Sequence, residues 1–541
     1  MGIYRHGRGT EKLRHIPGLV ELEAGTGTVH LNRTALPRAA DRIVFGRGLA
    51  ANVVPEAVAG LVEPARPGIL VVVGESSSKA PGIAALVDSI KSLGEGAGGG
   101  AGSADRWEGR TPRAWQATPS VRIFVVRGHA DHATIRAGIE AVRRDHAGLV
   151  VAVGGGTIID VGKSIAALAH QDGEGNTSWR PGRAAQEDAG AQVGPTVCMG
   201  DESGVEPEVA VDITAYQVGR RRPAPERALP WVAVPTTSGT GSESTDNAVI
   251  ELGDEKKSLR GIPASRFIAA DPALTDPLPL APTIVAAVDA LAQSLEVFTS
   301  SAASAEVQEV ALAAFAALAR GIEDLSVVAA RVIGETEPGG TPPATPERQQ
   351  MSAVRAASPD SAGKVAPATR DTLSWGSLLM GIAFANGRLG LPHALVHFCN
   401  RFGLSHGNMV GILLAPGLAV QARDPETARR LARAAHTLDE ALRCDDVPST
   451  DGRTPAPPVS QTCVRCGPEL LFHWLGARIP TLFEAAGLPR SLRAAGFTRA
   501  DLDWIVAREL ESRPSFGTPA RPATPGELRE VFERADGVVS V

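Results

Sequence analysis

Three histidines lie within 14 positions of one another in the second half of the sequence, although the chain of 541 residues contains only 12 histidines. They are His393, His397 and His406, and on a helix the first two would lie on one face, about one turn apart. Imidazole nitrogen is a common ligand of iron and zinc in proteins. Isolated histidines are mostly structural, but this clustering favours a site for a divalent metal.

A second set of polar residues interrupts an apolar segment upstream of the histidines. Asp289, Gln293 and Glu296 follow one another at helical spacing, so we expect them along one face of a helix. The carboxylate of Asp289 is predicted to be a further ligand of the same metal.

A glycine-rich loop follows an apolar run and precedes a helical segment. Glycines let the backbone approach a pyrophosphate closely, and the free N–H groups of a helix N-terminus favour negative charge. Lys163, on the first turns of the helix, is expected to reach a phosphate or the nicotinamide. A tight turn that binds no ligand would also have three glycines after a strand, and a surface lysine would look the same as Lys163 in the sequence. Both remain alternatives. The residues predicted here to bind a dinucleotide are Gly154, Gly155, Gly156, Thr157, Asp160 and Lys163.

A second loop, Pro235–Glu243, combines two glycines with five hydroxyl side chains directly after another apolar strand. Such a loop is rich in small hydrogen-bond donors and acceptors, so we predict that it forms a binding site, although a Ser/Thr-rich hairpin remains an alternative. The predicted contacts are Thr236, Thr237, Ser238, Thr240 and Ser242.

The loops must be positioned by the elements around them. Apolar runs that read as buried strands alternate with helical segments from residue 42 to about 170, which predicts a parallel sheet with helices on its faces. After about residue 280 the sequence is rich in Ala and Leu at helical spacing, which predicts an all-helical domain. The predicted strands are Gly68–Gly74, Val121–Val126, Leu149–Val153 and Trp231–Pro235.

Four Gly-, Pro- and Ser-rich stretches interrupt this pattern, and we interpret them as flexible insertions. They are 94–119, 171–230, 334–370 and 445–466. Without them the length is that of a two-domain enzyme. The expected organisation is an N-terminal extension (1–41), an α/β domain (42–280) and a helical domain (281–541).

The composition of the chain argues against several classes of function. The net charge is −6 and aromatic residues make up 4%, so neither a basic surface nor a stacking surface for nucleic acid is expected. We predict no membrane span and no secretory signal, and we expect a cytoplasmic protein. Cys463-x-x-Cys466 is interpreted as a pair of free thiols, and Cys399 as a small packing residue.

In combination, these motifs resemble the iron-containing (group III) alcohol dehydrogenases of the dehydroquinate synthase-like superfamily. Gly154–Lys163 resembles the family's G-G-G-S-x-x-D-x-x-K loop, with Thr157 in place of Ser, and Pro235–Glu243 resembles its P-T-T-[SA]-G-T-G-S-E loop. Asp289-Ala-Leu and the motif from His393 to His406-Gly407 resemble the family's metal segments.

The resemblance implies a Rossmann-like domain, an all-helical domain and an active site in the cleft between them. It implies hydride transfer between NAD(P)H and a small aldehyde or ketone, with a divalent metal, Fe²⁺ or Zn²⁺, polarising the carbonyl. Asp289, His393 and His406 would be metal ligands, and His397 would lie near the nicotinamide as a possible proton relay. A homodimer is expected.

One position departs from the family. The family's fourth ligand is a histidine four residues after the aspartate, where this chain has Gln293. An amide oxygen is a harder and weaker donor than imidazole. Either Gln293 is a ligand of a site with weaker binding and changed preference, or the metal is lost, as in a metal-independent reductase of the maleylacetate reductase type.

The end of the second predicted strand bears on the choice of cofactor. The family's aspartate there binds the ribose 2′-hydroxyl, whereas this chain has Gly74, followed by Glu75, Ser76 and Ser77. Gly74, Ser76 and Ser77 are predicted cofactor contacts, and NADP(H) is favoured, although Glu75 keeps NAD(H) open. Other functions left open are a phosphonoacetaldehyde-type reductase, a dehydroquinate synthase-like lyase and a non-catalytic paralogue.

Overall fold

The computed structural model describes residues 15–95, 119–171, 211–217, 219–252, 255–335, 363–396, 399–443, 467–511 and 523–536. The predicted proton relay His397 lies outside these residues, as do Cys463 and Cys466.

Eleven strands occur in the described residues, and six of them form one parallel sheet in the order β4-β11-β8-β7-β5-β6. The others form a small three-stranded antiparallel sheet near the N-terminus and a two-stranded hairpin. The strands are β1 His15–Ile16, β2 Val20–Leu22, β3 Val29–Leu31, β4 Arg42–Phe45, β5 Gly68–Gly74, β6 Val121–Val126, β7 Ala147–Gly154, β8 Trp231–Pro235, β9 Asn247–Leu252, β10 Glu255–Arg260 and β11 Phe267–Ala270.

The central strands are apolar throughout because helices cover both faces of the sheet. Every residue of β5 and β7 is buried, which is typical of a parallel sheet between two helical layers. Val71 packs with helices α1 and α2 on one face, and Val72 belongs to the core on the other face, with α3 and α4. The four helices are α1 Ala50–Leu61, α2 Pro81–Ser92, α3 His132–Arg144 and α4 Gly156–Leu168.

The second half of the chain is helical. Its central helix, Leu280–Thr299, is long and apolar enough to cross a membrane by length and composition alone, but it is mostly buried by its neighbours. The helices after α4 are α5 Ile213–Gln217, α6 Leu280–Thr299, α7 Ala305–Glu335, α8 Pro367–Asn386, α9 Leu391–Ala394, α10 His406–Gln421, α11 Pro425–Arg443, α12 Glu469–Ala485, α13 Arg499–Glu511 and α14 Pro525–Ala535. The structure therefore has the predicted architecture, a parallel α/β domain followed by an all-helical domain.

Two of the predicted insertions extend too far. The end of the interval 171–230 contains helix α5, whose Tyr216 is 2% exposed, and helix α8 already begins at Pro367, inside the interval 334–370. Helix α5 and the first turn of α8 are too short to show the apolar periodicity on which the prediction relied, yet residues in both are buried against the core.

The expected helix through His393 and His397 is also wrong. Helix α9 ends at Ala394, and the N–H of Leu395 bonds to the oxygen of Pro392, three residues back. This tighter bond is typical of a helix end. The chain then forms a short 3-10 turn at Cys399–Phe402, in which Cys399 is buried in the core, as predicted for a small packing residue.

Candidate metal and cofactor site

The carboxyl ends of β5, β7 and β8 lie side by side in the sheet. From β5 the chain continues to β6 on one side, whereas from β7 it continues to β8 on the other. Open parallel sheets bind ligands in the crevice at such a reversal of strand order. The two predicted loops and the segment after Gly74 are thus brought to one edge.

The two loops pack against each other. Gly155 is the N-cap of α4, and a Cβ built on Gly156 would lie 2.5 Å from Oγ1 of Thr240. Only glycine leaves room for this approach. Thr157 and Thr240 are exposed and Thr237 is half-buried, whereas Thr236, Ser238 and Ser242 are buried, so three of these hydroxyl side chains are accessible to a cofactor.

The prediction that Lys163 contacts the cofactor is wrong, because its side chain is completely buried. Its Nζ donates to the oxygen of Ser242 at 2.9 Å and lies 3.1 Å from Oδ1 of Asp160. Asp160 accepts from the hydroxyl of Ser242 and, at 2.9 Å, from the N–H of Val249. Asp160 and Lys163 hold the second loop in place instead of binding a phosphate.

Helix α8 supports the same loop from the other domain. The hydroxyls of Ser238 and Ser374 lie 2.8 Å apart, and Ser377 donates to the oxygen of Gly239 at 3.3 Å. A Cβ on Gly241, whose φ is +63°, would lie 2.7 Å from Cα of Gly381. The second loop is therefore fixed between the two domains.

Glu243 lines a small cavity at this junction, together with Asp271 and Ser374. Its side chain is buried, and burial raises the pKa of the Glu243 carboxyl to about 7 despite the nearby cation of Lys163. Sequence reasoning included Glu243 in the loop but assigned it no role.

Three of the predicted metal ligands are brought together. Candidate ligand atoms of Asp289, His393 and His406 all lie within 4.8 Å of one another. Nε2 of His393 is 3.2 Å and Nε2 of His406 is 3.6 Å from Oδ1 of Asp289. Metal–ligand bonds of about 2.0–2.2 Å place ligand atoms at such separations. Asp289 and His393 are buried, and His406, at the first turn of α10, is partly exposed.

The second loop lies next to this cluster. A Cβ on Gly239 would lie 3.0 Å from Cβ of Ala286, one turn before Asp289 on α6. The cofactor loops and the metal ligands therefore face the same junction between the two domains.

Gln293 completes the cluster in a way that fits a metal. Its Nε2 donates to Oδ2 of Asp289 at 3.3 Å, and its Oε1 is buried without a hydrogen-bond partner among the described residues. An unpaired buried oxygen is unfavourable by itself. A cation held by Asp289, His393 and His406 would satisfy it.

Glu296 is the residue that sequence reasoning placed on the same helix face without giving it a role. It is fully buried, and it accepts from both the main-chain N–H, at 3.0 Å, and Nδ1 of His393. Burial acts to lower the pKa of His393, but the carboxylates of Glu296 and Asp289 outweigh burial and raise this pKa to about 10. Burial likewise acts to raise the pKa of Asp289, yet its contacts with His393 and His406 lower it.

The segment after β5 lies at the predicted cofactor-binding edge of the sheet and is partly exposed. Ser77 donates to the oxygen of Gly74 at 3.2 Å, and Ser76 begins a short 3-10 turn. Directly after the neighbouring strand β6, the Nε of Arg127 lies 3.5 Å from the carboxylate of Glu75, and the Arg127 side chain is 77% exposed. Sequence reasoning missed Arg127, because only the sheet places it beside Glu75.

Comparison with known proteins agrees with this arrangement. The family model "Iron-containing alcohol dehydrogenase" matches residues 102–199 and 205–277. The chain is 24% identical over 409 residues to 1,3-propanediol dehydrogenase of Citrobacter freundii, covering 74% of this chain and 79% of that protein. It is 27% identical over 403 residues to 4-hydroxybutyrate dehydrogenase of Cupriavidus necator, covering 71% of this chain and 77% of that protein.

The fold is similar to that of a crystal structure of 1,3-propanediol oxidoreductase, with a TM-score of 0.61 and 19% sequence identity. That match covers 92% of this chain and 98% of the other. The fold, the ligand cluster at the domain junction and the sequence relatives lead to one conclusion. In sequence, in fold and in the ligand cluster at the domain junction, the chain is similar to the iron-containing alcohol dehydrogenases.

Proposed function

We propose that this chain interconverts a small alcohol and its aldehyde with a divalent metal held by Asp289, Gln293, His393 and His406. The observation that carries the proposal is the buried Oε1 of Gln293, which has no hydrogen-bond partner among the described residues and lies beside a carboxylate that already faces two imidazoles. A donor set of two nitrogens and two oxygens suits Fe²⁺ and Zn²⁺.

In this proposal the protein residues have distinct tasks. Asp289 and His393 are buried and fix the inner side of the site, while the partly exposed His406 faces its accessible side. When bound, the metal supplies a Lewis acid that polarises the carbonyl oxygen of the aldehyde. Thr237 and Thr240 contact the dinucleotide, and Gly155 and Gly156 let the backbone approach its phosphates. The predicted role of His397 as a proton relay remains a prediction.

The experiment is to measure NAD(P)H oxidation with the chelator-treated protein before and after adding Fe²⁺ or Zn²⁺. Loss of activity on chelation and its recovery with metal would support the proposal. Full activity in metal-free protein would contradict it and would favour the metal-independent reductase that Gln293 also suggests. Absence of any dinucleotide binding by calorimetry would indicate a non-catalytic paralogue.

We infer that the substrate is a short aliphatic alcohol. The two sequence relatives are named for 1,3-propanediol and 4-hydroxybutyrate, which have three and four carbons and a second oxygen-bearing group. A screen of three- and four-carbon hydroxyaldehydes and aldehyde acids therefore comes first. A preference for phosphonoacetaldehyde over these compounds would contradict this inference. The homodimeric state and the cytoplasmic location remain predictions.

We also propose that the chain prefers NADP(H). Gly74 provides no carboxylate to repel a 2′-phosphate, and the guanidinium of Arg127 offsets the charge of Glu75 at the same edge. An arginine near the end of this strand is a common way to accommodate the 2′-phosphate. Comparison of KM for NADPH and NADH tests the preference.

A further inference from the structure

Glu296 holds His393 through two hydrogen bonds at once. One of its carboxylate oxygens accepts the main-chain N–H of His393 at 3.0 Å, and the other contacts Nδ1 of the same residue. The Glu296 side chain is completely buried, so solvent does not compete for either bond. A carboxylate with two acceptors and no donor suits two N–H groups from one residue.

This contact determines which imidazole nitrogen is available. If Nδ1 carries the hydrogen that Glu296 accepts, the lone pair of a neutral His393 is on Nε2. That is the nitrogen that lies 3.2 Å from Oδ1 of Asp289, inside the ligand cluster. Because α9 is a single short turn that ends at Ala394, its hydrogen bonds alone fix this ring poorly. The anchor comes from α6, the helix that also contributes Asp289.

We propose that Glu296 is a positioning residue that orients His393 and sets its tautomer for metal binding. The inference rests on the proposed metal site and adds a residue that does not contact the metal itself. Carboxylates that accept from the second nitrogen of a ligand histidine fix its orientation and increase its basicity. Helix α6 then supplies one ligand, Asp289. Seven residues later it also supplies Glu296, which supports a second ligand, His393.

Glu296→Gln is the informative substitution, because it keeps the size of the side chain. A glutamine offers one acceptor and one donor group. If its oxygen accepts the main-chain N–H, its amide group faces Nδ1 and favours the tautomer with hydrogen on Nε2, which blocks the metal. The matched control is Glu323→Gln, since Glu323 is a glutamate of α7 that accepts from Trp474 and, at 2.8 Å, from Arg478 of another helix.

The measurement is the dissociation constant of Zn²⁺ from the metal-stripped full chain, by competition with a chromophoric chelator, together with the melting temperature of each metal-free protein. We expect Glu296→Gln to weaken Zn²⁺ binding about 10- to 100-fold and Glu323→Gln to leave it unchanged. Equal affinity of the Glu296→Gln protein and the unmutated protein would overturn the inference, as would an equal loss in both variants.

A second variant, Glu296→Asp, keeps the charge but shortens the side chain. If position matters, it weakens Zn²⁺ binding as well; if only the charge matters, it does not, and the positioning role is wrong. Failure of the unmutated protein to bind Zn²⁺ or Fe²⁺ at all would instead contradict the proposed metal site. The two failures are therefore distinguishable.

Discussion

Lys163 reaches from the helix after the first glycine loop to the main-chain oxygen of Ser242 in the second loop, at 2.9 Å. Its Nζ also contacts Asp160, which accepts from the hydroxyl of Ser242. Two loops that are about 80 residues apart in the sequence are thus held as one unit by a buried ion pair. This relationship gives the two charged residues a structural role next to the cofactor site.

Replacing Lys163 by Met is expected to reduce the free energy of unfolding by about 3 kcal/mol, because it leaves the buried carboxylate of Asp160 without its cation. KM for the dinucleotide is expected to rise as well, since the second loop loses its support. Chemical denaturation and initial rates measure the two effects. Lys91→Met is the control, because Lys91 forms an exposed pair with Asp88 and its loss changes stability by no more than about 1 kcal/mol. Equal losses in both variants would contradict the structural role.

Replacing Gln293 by His is expected to tighten Zn²⁺ binding roughly tenfold, because imidazole is a better ligand for this metal than an amide oxygen. Competition with a chelator measures the change. Gln308→His is the control, since Gln308 lies on α7 and bonds to the oxygen of Ala303 at 3.0 Å, outside the ligand cluster. Unchanged affinity in the Gln293→His protein would argue against Gln293 as a ligand.

Replacing Arg127 by Ala is expected to raise KM for NADPH about tenfold, the value of one charge-assisted hydrogen bond, while KM for NADH stays the same or falls. Steady-state kinetics with both cofactors measures the ratio. Arg122→Ala is the matched control, because Arg122 is an exposed arginine of strand β6, which Arg127 directly follows, and it pairs with Asp145 at 2.8 Å. A parallel rise for both cofactors would show that Arg127 does not recognise the 2′-phosphate.

Replacing Glu243 by Gln is expected to change how stability depends on pH. Burial raises the pKa of the Glu243 carboxyl from 4.5 to about 7, so between these values the folded state keeps a proton that the unfolded chain loses. Stability from this group therefore falls as pH rises through that window, and the loss is complete above pH 7.

Glu243→Gln lacks this titration, so its stability relative to the unmutated protein should increase by about 3 kcal/mol between pH 4.5 and pH 8. Denaturation curves across this range check the value. The exposed Glu56→Gln exchange provides the comparison for a general effect of removing a carboxylate. A constant difference between Glu243→Gln and the unmutated protein at all pH values would contradict the expectation.

Much of the fold can be predicted from the sequence because its signals are local. The continuous apolar runs at β5, β7 and β8 predict buried parallel strands, and all three are buried and pair in parallel in the sheet. The helical spacing after residue 280 predicts the second domain. The approach of Gly156 to Thr240 explains why a glycine-rich loop and a hydroxyl-rich loop occur together.

The wrong predictions concern side chains whose sequence context fits two different environments. Lys163 has the sequence context of a phosphate-binding lysine, but it is completely buried, and its Nζ contacts the second loop, Thr245 and the start of β9. The spacing of His393 and His397 in the sequence suggested that they share a helix face. In the structure, Glu296 accepts a hydrogen bond from the N–H of His393, and the helix ends one residue later.

The sequence by itself predicted the resemblance to the iron-containing alcohol dehydrogenases, the two-domain order and three residues of the candidate metal site, because these depend on residue types at fixed spacing. Only the tertiary structure decided which of these residues meet and which are covered. It brought Arg127 beside Glu75 and Glu296 into contact with Nδ1 of His393. It also left Oε1 of Gln293 without a partner among the described residues. These relationships depend on distances between segments far apart in the chain, which no local pattern encodes.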